Sequence, residues 1–354
     1  MSIHVGKRRA PEPQSERAAL RGDLTKNECF SSNSAKSRWY GSLKRRAAPD
    51  YERQRRRSCE QQTPSPGAAG REIILAAETG CDLTREEASA LGVYLVPMHV
   101  SMGSETRPDG SFPAEEVCAF YERTGAVPQT SAASQYDFAC VFDAIAAEHP
   151  GARIVHLAYS AATTASFHNA LMVAAGSGYD VLSVDTMHVS VGQRAIVIEA
   201  AKLLREHPEI TPELLQAAVE ELAGRTRMCF VPQNLDYLRA GGRVSNAAAL
   251  ISGVLNLHPA IHVTGGKLVA GRKYRGSMDK VARRLVRDEA EANALDRDVI
   301  YLIRSPGLSR EVMDAAEDEV RRCGFGRFEW VKTGCVITCH GGPGAFGVVG
   351  FSSR

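Results

Sequence analysis

Two hydroxyl side chains, Thr130 and Ser131, stand directly before a predicted helix and could bind an anion. They occur in the segment VPQTSAASQYDF, where Ser134 and, three residues later, Asp137 form a pattern typical of a capped helix start. The free amide groups at a helix amino terminus favour a negative charge, and nearby hydroxyls can donate hydrogen bonds to it. A local role, in which both hydroxyls only satisfy the backbone of the loop, remains an alternative.

A third hydroxyl, that of Ser160, follows the apolar run of HLAYSAATTASFHNA, at the point where a strand should give way to a helix. Ligands of open parallel sheets tend to bind at the carboxyl edge of the strands. We therefore expect Ser160 at a ligand-binding edge of the sheet.

The segment from Leu238 to Gly276 combines a glycine pair, isolated arginines and a run of small apolar residues. Gly241 and Gly242 permit backbone angles that other residues resist, so Arg243 can be directed at a group close to the main chain. A helix that ends at a glycine beside a solvated arginine is the structural alternative.

Two runs of small apolar residues, AALISGVLNLHPAI at 248–261 and ALMVAAG at 170–176, are suited to line an apolar tunnel. Small side chains leave room that larger ones would fill. We interpret the first run as part of an apolar helix. Ordinary helix packing is the alternative for either run.

His340 precedes a glycine turn and a predicted strand in CHGGPGAFGVVGF. A histidine there could donate a hydrogen bond to a carboxylate and titrate near neutral pH. The HGG sequence also resembles the oxyanion loop of esterases, but the GxSxG motif that those enzymes need is absent. The nine cysteines form no CxxC pair, and Cys335, Cys339 and His340 lack a second pair of ligands, so we expect reduced thiols and no metal site.

From Glu72 onward, short β-branched runs alternate with longer amphipathic ones, which predicts an α/β fold with mainly parallel or mixed sheets flanked by helices. The predicted strands are REIILAA, GVYLVPMHV, ARIVHLAY, YDVLSVD, TRMCFV, RDVIYLI and FEWVKT. The predicted helices are PAEEVCAFYER, QYDFACVFDAIAAEH, TTASFHNALMVAAGS, SVGQRAIVIEAAKLLREH, TPELLQAAVEELAG, SMDKVARRLVRDEAEAN and SREVMDAAEDEVRRC.

The 354 residues divide into an extension and two predicted lobes. Residues 1–70 hold 15 Lys+Arg against 7 Asp+Glu and few periodic apolar positions, so we expect a basic disordered extension, typical of a solvated tail. The lobes should span 71–224 and 225–354, with a chain segment exchanged between them. No apolar run is long enough to span a bilayer or to follow the early basic residues as a secretory signal, so we expect a cytoplasmic protein without specific nucleic-acid binding.

The motifs LRAGGRVS, LNLHPAI and KYRG, in this order and spacing, resemble the second half of the DegV family. The resemblance extends over about residues 72–351 and implies a two-lobed fold with a ligand tunnel between the lobes. It also implies a set of residues that bind the carboxylate of a long-chain fatty acid such as palmitate or oleate: Thr130, Ser131, Ser160, Ala161 and His340. Ala161 stands where the family has a second serine, so its backbone amide would have to replace a hydroxyl.

The resemblance implies a carrier that has no cofactor and no catalytic base of its own. Such a carrier would present the fatty acid to a separate kinase, related to dihydroxyacetone kinases, for acyl-phosphate formation in phospholipid synthesis. Arg243 and Arg275 would face that kinase or the nucleotide phosphates. Burial of some fifteen methylenes would contribute about 12 kcal/mol before the costs of binding. Two alternatives remain, namely a diverged regulator without fatty-acid carriage and a partner-independent acyl hydrolase that uses Ser160 and His340.

Overall fold

The computed structural model describes Ser42 and residues 71–176, 178–244 and 257–354. The predicted basic extension, apart from Ser42, and most of the predicted apolar helix at 248–261 lie outside the described residues. The strands of the described part are, in chain order, β1 Ile73–Glu78, β2 Val93–Val96, β3 His99–Met102, β4 Glu105–Pro108, β5 Gln129–Ser131, β6 Arg153–Ala158, β7 Val181–Asp185, β8 Thr226–Val231, β9 Leu257–Thr264, β10 Lys267–Arg275, β11 Ile300–Arg304, β12 Phe328–Lys332 and β13 Phe346–Phe351.

The helices, numbered in the same way, carry the amphipathic segments of the sequence. They are α1 Arg85–Leu91, α2 Glu115–Thr124, α3 Gln135–Glu148, α4 Ser166–Gly176, α5 Ser190–Glu206, α6 Pro212–Arg225, α7 Asp236–Gly241, α8 Met278–Ala292, α9 Arg310–Arg322 and α10 Cys335–Gly341. Among these described helices, none combines the length and the apolar character needed to cross a bilayer.

A four-stranded parallel sheet, in the order β2-β1-β6-β7, forms the first layer. All six residues of β1 are buried, as expected for a central strand that is covered on both faces. The capping box predicted before α3 is confirmed, because Ser134 accepts a hydrogen bond from the Asp137 amide and Asp137 accepts one from the Ser134 amide.

A six-stranded mixed sheet, in the order β10-β9-β8-β13-β11-β12, forms the second layer. Its pairs are antiparallel except for β11 with β12. Helices α8 and α9 pack their apolar faces with the buried side chains of this sheet into one core. The predicted α/β class with mixed sheets flanked by helices is confirmed, while the lobe boundary near residue 224 stays a prediction.

Two elements connect the layers and position the residues described below. Helix α5 contacts β1 and β6 of the parallel sheet as well as β8, β11 and β13 of the mixed sheet. The short helix α10 packs against α2, α7, β3 and β5. Strand β5 belongs to a small antiparallel sheet, β4-β3-β5, so α10 lies beside Thr130 and Ser131.

Two predicted elements differ from the structure, and one observed helix was not predicted. The run GVYLVPMHV forms two strands rather than one, because the chain leaves the parallel sheet at Pro97, which has no amide hydrogen to donate to a ladder. The residues Leu257–Ile261, interpreted as part of an apolar helix, begin β9, whose antiparallel pairing with β10 outweighs the local pattern. The residues before the glycine turn, Cys335–Gly341, form a helix that periodicity did not indicate.

Candidate functional site

A narrow cavity of about 70 Å³ lies between the small sheet, α10 and the mixed sheet. Both predicted lobes contribute to its walls, which are mostly apolar. The apolar lining residues are Met98, Ala132, Tyr159, Val189, Met228, Phe230, Leu268, Ile303, Val336, Ile337, Ala345 and Phe346. Hydroxyl groups at the deeper walls are already engaged, since Ser305 Oγ accepts the Ala345 amide at 2.7 Å and Thr333 Oγ1 lies 2.9 Å from Thr338 Oγ1. The interior is therefore suited to an apolar ligand.

Thr130 and His340, which are 210 residues apart in the sequence, meet at the wall of this cavity. Their Oγ1 and Nε2 atoms lie 2.9 Å apart, and both residues line the cavity together with Ser131. Gly241 makes this contact possible, because a Cβ at that position would collide with Nδ1 of His340. The glycine pair thus has two functions: Gly242 supplies the left-handed helix end, with φ of +61°, and Gly241 supplies space.

His340 is a neutral side chain at physiological pH. Its Nδ1 atom is fully buried and has no hydrogen-bond partner among the described residues. Burial, and then the positive charge of Arg243, lower the pKa of His340 from 6.5 to about 4. The expectation that His340 titrates near neutral pH is therefore wrong, because the sequence did not reveal that the ring is desolvated beside an arginine.

Arg243 lies at the mouth of the cavity. It is exposed, lines the cavity, and donates a hydrogen bond from Nη1 to the Gly241 carbonyl at 2.8 Å. Thr163 and Thr164, which sequence analysis did not single out, line both the cavity and an outer cleft, as Arg243 does. Lys267 lines the same outer cleft. The cavity therefore opens towards a cationic cleft, and its polar end combines neutral hydrogen-bond donors with positive charge.

Ser160 and Ala161 are placed differently from the other predicted carboxylate ligands. The Ser160 side chain is buried and donates its hydroxyl hydrogen to the Gly266 carbonyl at 2.7 Å, which joins the end of β6 to the β9–β10 turn. The Ala161 amide donates to Asp185 Oδ1 at 3.3 Å, and the residue lines the outer cleft rather than the cavity. Of the five predicted residues, the structure brings Thr130, Ser131 and His340 together, and it uses the Ser160 hydroxyl for the scaffold.

Arg275 and the small-residue run of α4 lie apart from the cavity lining. Arg275 is exposed at the end of β10, and its carbonyl accepts a hydrogen bond from Arg284. In α4, Ala170 is buried, while Leu171 and Met172 are exposed to 41% and 62%. No residue of ALMVAAG lines this cavity, so ordinary helix packing, the alternative for this run, describes it better.

Two buried carboxylates, Asp82 and Asp109, hold the amino terminus of α10 and were not predicted as part of the site. Asp82 accepts the Gly334 amide at 2.7 Å and the hydroxyl of Ser190, a cavity-lining residue, while Asp109 accepts the Cys335 amide at 2.9 Å. Burial raises the pKa of Asp82 to about 7, although the Ser190 and Gly334 hydrogen bonds oppose this shift. Burial also raises the pKa of Asp109. The position of α10, which carries Ile337 and His340, thus depends on two buried carboxyl groups.

Comparison with known proteins assigns this chain to a family. The profile described as "Uncharacterised protein, DegV family" matches residues 72–353. The chain belongs to the DegV family. A DegV domain-containing protein of Deinococcus radiodurans is 31% identical over 283 residues, which cover 78% of this chain and 97% of that protein.

Two further DegV relatives are described by what they bind. A fatty acid-binding protein of Thermotoga maritima is 26% identical over 269 residues, which cover 71% of this chain and 88% of that protein. The solved structure of a DegV family protein of Thermus thermophilus, described as fatty acid binding, superposes with a TM-score of 0.72 at 27% identity and covers 80% of this chain and all of that one.

Two polar residues outside the cavity belong to the scaffold of this DegV chain. Glu78 is wholly buried and accepts the Tyr159 amide at 2.8 Å and the Gln193 side chain at 3.0 Å. His258 lies in β9 with its Nε2 atom 3.2 Å from the Gly276 carbonyl. Neither residue lines the cavity.

Proposed function

We propose that this DegV protein is a cytoplasmic carrier that buries a long-chain fatty acid in the cavity and exposes its carboxylate to a separate kinase. The observation that carries the proposal is an apolar cavity whose wall holds the Thr130–His340 pair and whose mouth holds Arg243. The binding activity described for the relatives from Thermotoga maritima and Thermus thermophilus supports it.

The tail contributes most of the affinity in this proposal, and it has to open the cavity. The present cavity volume of about 70 Å³ is smaller than the roughly 300 Å³ at the lower end of the volumes usual for ligand pockets. Each buried methylene contributes about 0.8 kcal/mol of binding free energy. A tail of some fifteen methylenes can therefore offset the free-energy costs of separating the cavity walls and of ordering the acyl chain. Met98 and Met228 suit such a change, since methionine side chains adapt their shape more readily than branched ones.

The head group is held by neutral donors and by one cation. A proton on Nε2 of His340 would be donated to Thr130 Oγ1 and would leave the Thr130 hydroxyl hydrogen free for the carboxylate. In this arrangement His340 positions Thr130, and the ring stays neutral because burial and Arg243 disfavour its protonation. Arg243 supports the carboxylate at the mouth, and Ser131 is exposed beside it.

We infer that the kinase approaches through the outer cleft. Arg243 and Lys267 supply positive charge there, which suits the phosphates of a nucleotide during phosphoryl transfer to the carboxylate. Arg275, exposed on β10, would add charge at the edge of the docking face. A fatty-acid carboxylate is already ionised at neutral pH, so the carrier needs no catalytic base. The hydrolase alternative is not favoured, because the Ser160 hydroxyl donates to a main-chain carbonyl rather than to a histidine.

Lipid extraction tests the proposal directly. Purified full-length protein should release a long-chain acyl species on organic extraction, as detected by mass spectrometry. Delipidated protein should bind palmitate or oleate with a stoichiometry of one by titration calorimetry. A clean extract together with the absence of heat on titration with either acid would exclude the carrier function.

Replacing Thr130 with valine should weaken fatty-acid binding by about 10- to 100-fold. The substitution keeps the shape of the side chain and removes the hydroxyl, and a hydrogen bond to a charged group contributes about 1.5–3 kcal/mol. Thr130→Ser keeps the hydroxyl and should bind nearly as the wild type does. Ser134→Ala, which removes the hydroxyl that caps α3 outside the cavity, should lower stability by about 1 kcal/mol and leave the dissociation constant unchanged. Equal affinities of the Thr130→Val variant and the wild type would remove Thr130 from the head-group site.

A further inference from the structure

A cysteine, a histidine and a glutamate converge on the other side of the mixed sheet, outside the cavity. Cys229 of β8 and His262 of β9 are directly paired across the antiparallel ladder, so their side chains point to the same face. Glu289 of α8 covers that face. One sulfur, one ring nitrogen and one carboxylate oxygen of these residues all lie within 4.8 Å of one another.

The separation between the cysteine and the histidine matches that between two ligands of one zinc ion. Cys229 Sγ lies 3.7 Å from His262 Nε2, and tetrahedral bonds of about 2.3 Å to sulfur and about 2.0 Å to nitrogen would place these atoms roughly 3.6 Å apart. Glu289 Oε1 lies 3.8 Å from the other ring nitrogen, Nδ1. Because one ion binds only one of the two ring nitrogens, a side-chain adjustment within the 4.8 Å span of the three ligand atoms would be needed to complete three bonds to one metal ion.

The surroundings of the cluster position the carboxylate and the ring. Asn293, one turn after Glu289, donates a hydrogen bond from Nδ2 to Glu289 Oε2 at 2.9 Å and leaves Oε1 directed at the histidine. Gly271 makes room for the ring, because a Cβ there would stand 2.8 Å from Cδ2 and 3.1 Å from Nε2 of His262. The sulfur and the carboxylate are buried, and buried polar atoms of this kind need a partner of opposite charge or a proton.

We propose that Cys229, His262 and Glu289 form a zinc site with water or an exogenous ligand in the fourth position. Thiolate, imidazole and carboxylate together suit Zn²⁺ better than the hard cations Mg²⁺ and Ca²⁺, which take oxygen ligands. His262 is about one third exposed, and it lines a solvent-open cleft together with Glu289 and Asn293, so a fourth ligand can reach the ion. The metal would join β8, β9 and α8, and the site is independent of fatty-acid binding.

Zinc titration of the full-length, metal-stripped protein tests this site. The wild type should bind one Zn²⁺ per chain in competition with a chromogenic chelator, and its melting temperature should rise with zinc. Co²⁺ in the same site should produce the absorption band of a thiolate-to-cobalt charge transfer. Both properties should persist in Cys140→Ser, which removes an exposed cysteine elsewhere.

Three substitutions assign the ligands. Cys229→Ser should abolish the charge-transfer band, and Glu289→Gln and His262→Asn should each weaken zinc binding at least tenfold. Asn293→Ala should weaken it by about 10- to 100-fold through the freed carboxylate. If the Cys229→Ser variant does not fold, the His262→Asn and Glu289→Gln variants test the same assignment, because His262 is partly exposed and the change at Glu289 is nearly isosteric. Absence of a stoichiometric metal in the wild type, or zinc affinity unchanged in folded His262→Asn and Glu289→Gln variants, would overturn the proposal.

Discussion

Ile337→Trp should lower the affinity for palmitate by at least about a hundredfold while the protein stays folded. Ile337 lines the cavity one turn before His340 on α10, and it is only partly buried, so the larger ring can be accommodated. An indole in this narrow space blocks the path of the tail. Exclusion of about four methylenes at ~0.8 kcal/mol each costs ~3 kcal/mol, which corresponds to a hundredfold or more.

A volume-conserving change at the same position is the matched control. Ile337→Leu should bind palmitate within about tenfold of the wild type, because such exchanges cost less than about 1.5 kcal/mol. Calorimetric titration of delipidated protein measures both constants, and thermal unfolding checks that the two variants are folded. Undiminished palmitate binding by a folded Ile337→Trp variant would mean that the tail lies elsewhere.

Asp82→Asn should remove a pH dependence of stability worth as much as ~4 kcal/mol. The pKa of Asp82 is raised from 3.8 to about 7 in the folded protein, so the folded state binds more protons than the unfolded state between these values. The stabilisation from this group is fully present below pH 4 and is lost as the pH rises through 7. About three pKa units at 1.36 kcal/mol each set the upper limit.

Denaturant unfolding at several pH values measures this effect. The wild type should lose stability relative to Asp82→Asn as the pH is raised from 4 to 8, because only the wild type must then hold an ionised carboxylate at position 82. Asp314→Asn, at an exposed acid paired with Arg310, should keep the wild-type pH dependence. A constant difference between wild type and Asp82→Asn over this range would show that Asp82 ionises as freely in the folded as in the unfolded chain.

Features that depend on neighbours in the sequence could be predicted from it. The buried run of β1, the capping box before α3 and the periodic helices α5 and α8 arise from side chains within a few residues of one another. The motifs around Arg243 are sufficient to suggest the DegV family from the sequence alone. The small sheet β4-β3-β5, by contrast, has short and partly polar strands that show no apolar alternation.

The protonation states and hydrogen-bond partners of the polar side chains could be established only from the tertiary structure. The sequence contained the hydroxyls of Thr130 and Ser160, but only the fold directs the first to His340 and the second to the Gly266 carbonyl. His340 and Asp82 carry pKa values far from their usual ones because distant segments desolvate them. The cluster of Cys229, His262 and Glu289 has no spacing that a motif could reveal. The sequence alone determined the fold class and the family, because local patterns encode them, whereas the tertiary structure decided which polar atoms remain available, because burial and hydrogen bonding depend on residues far apart in the chain.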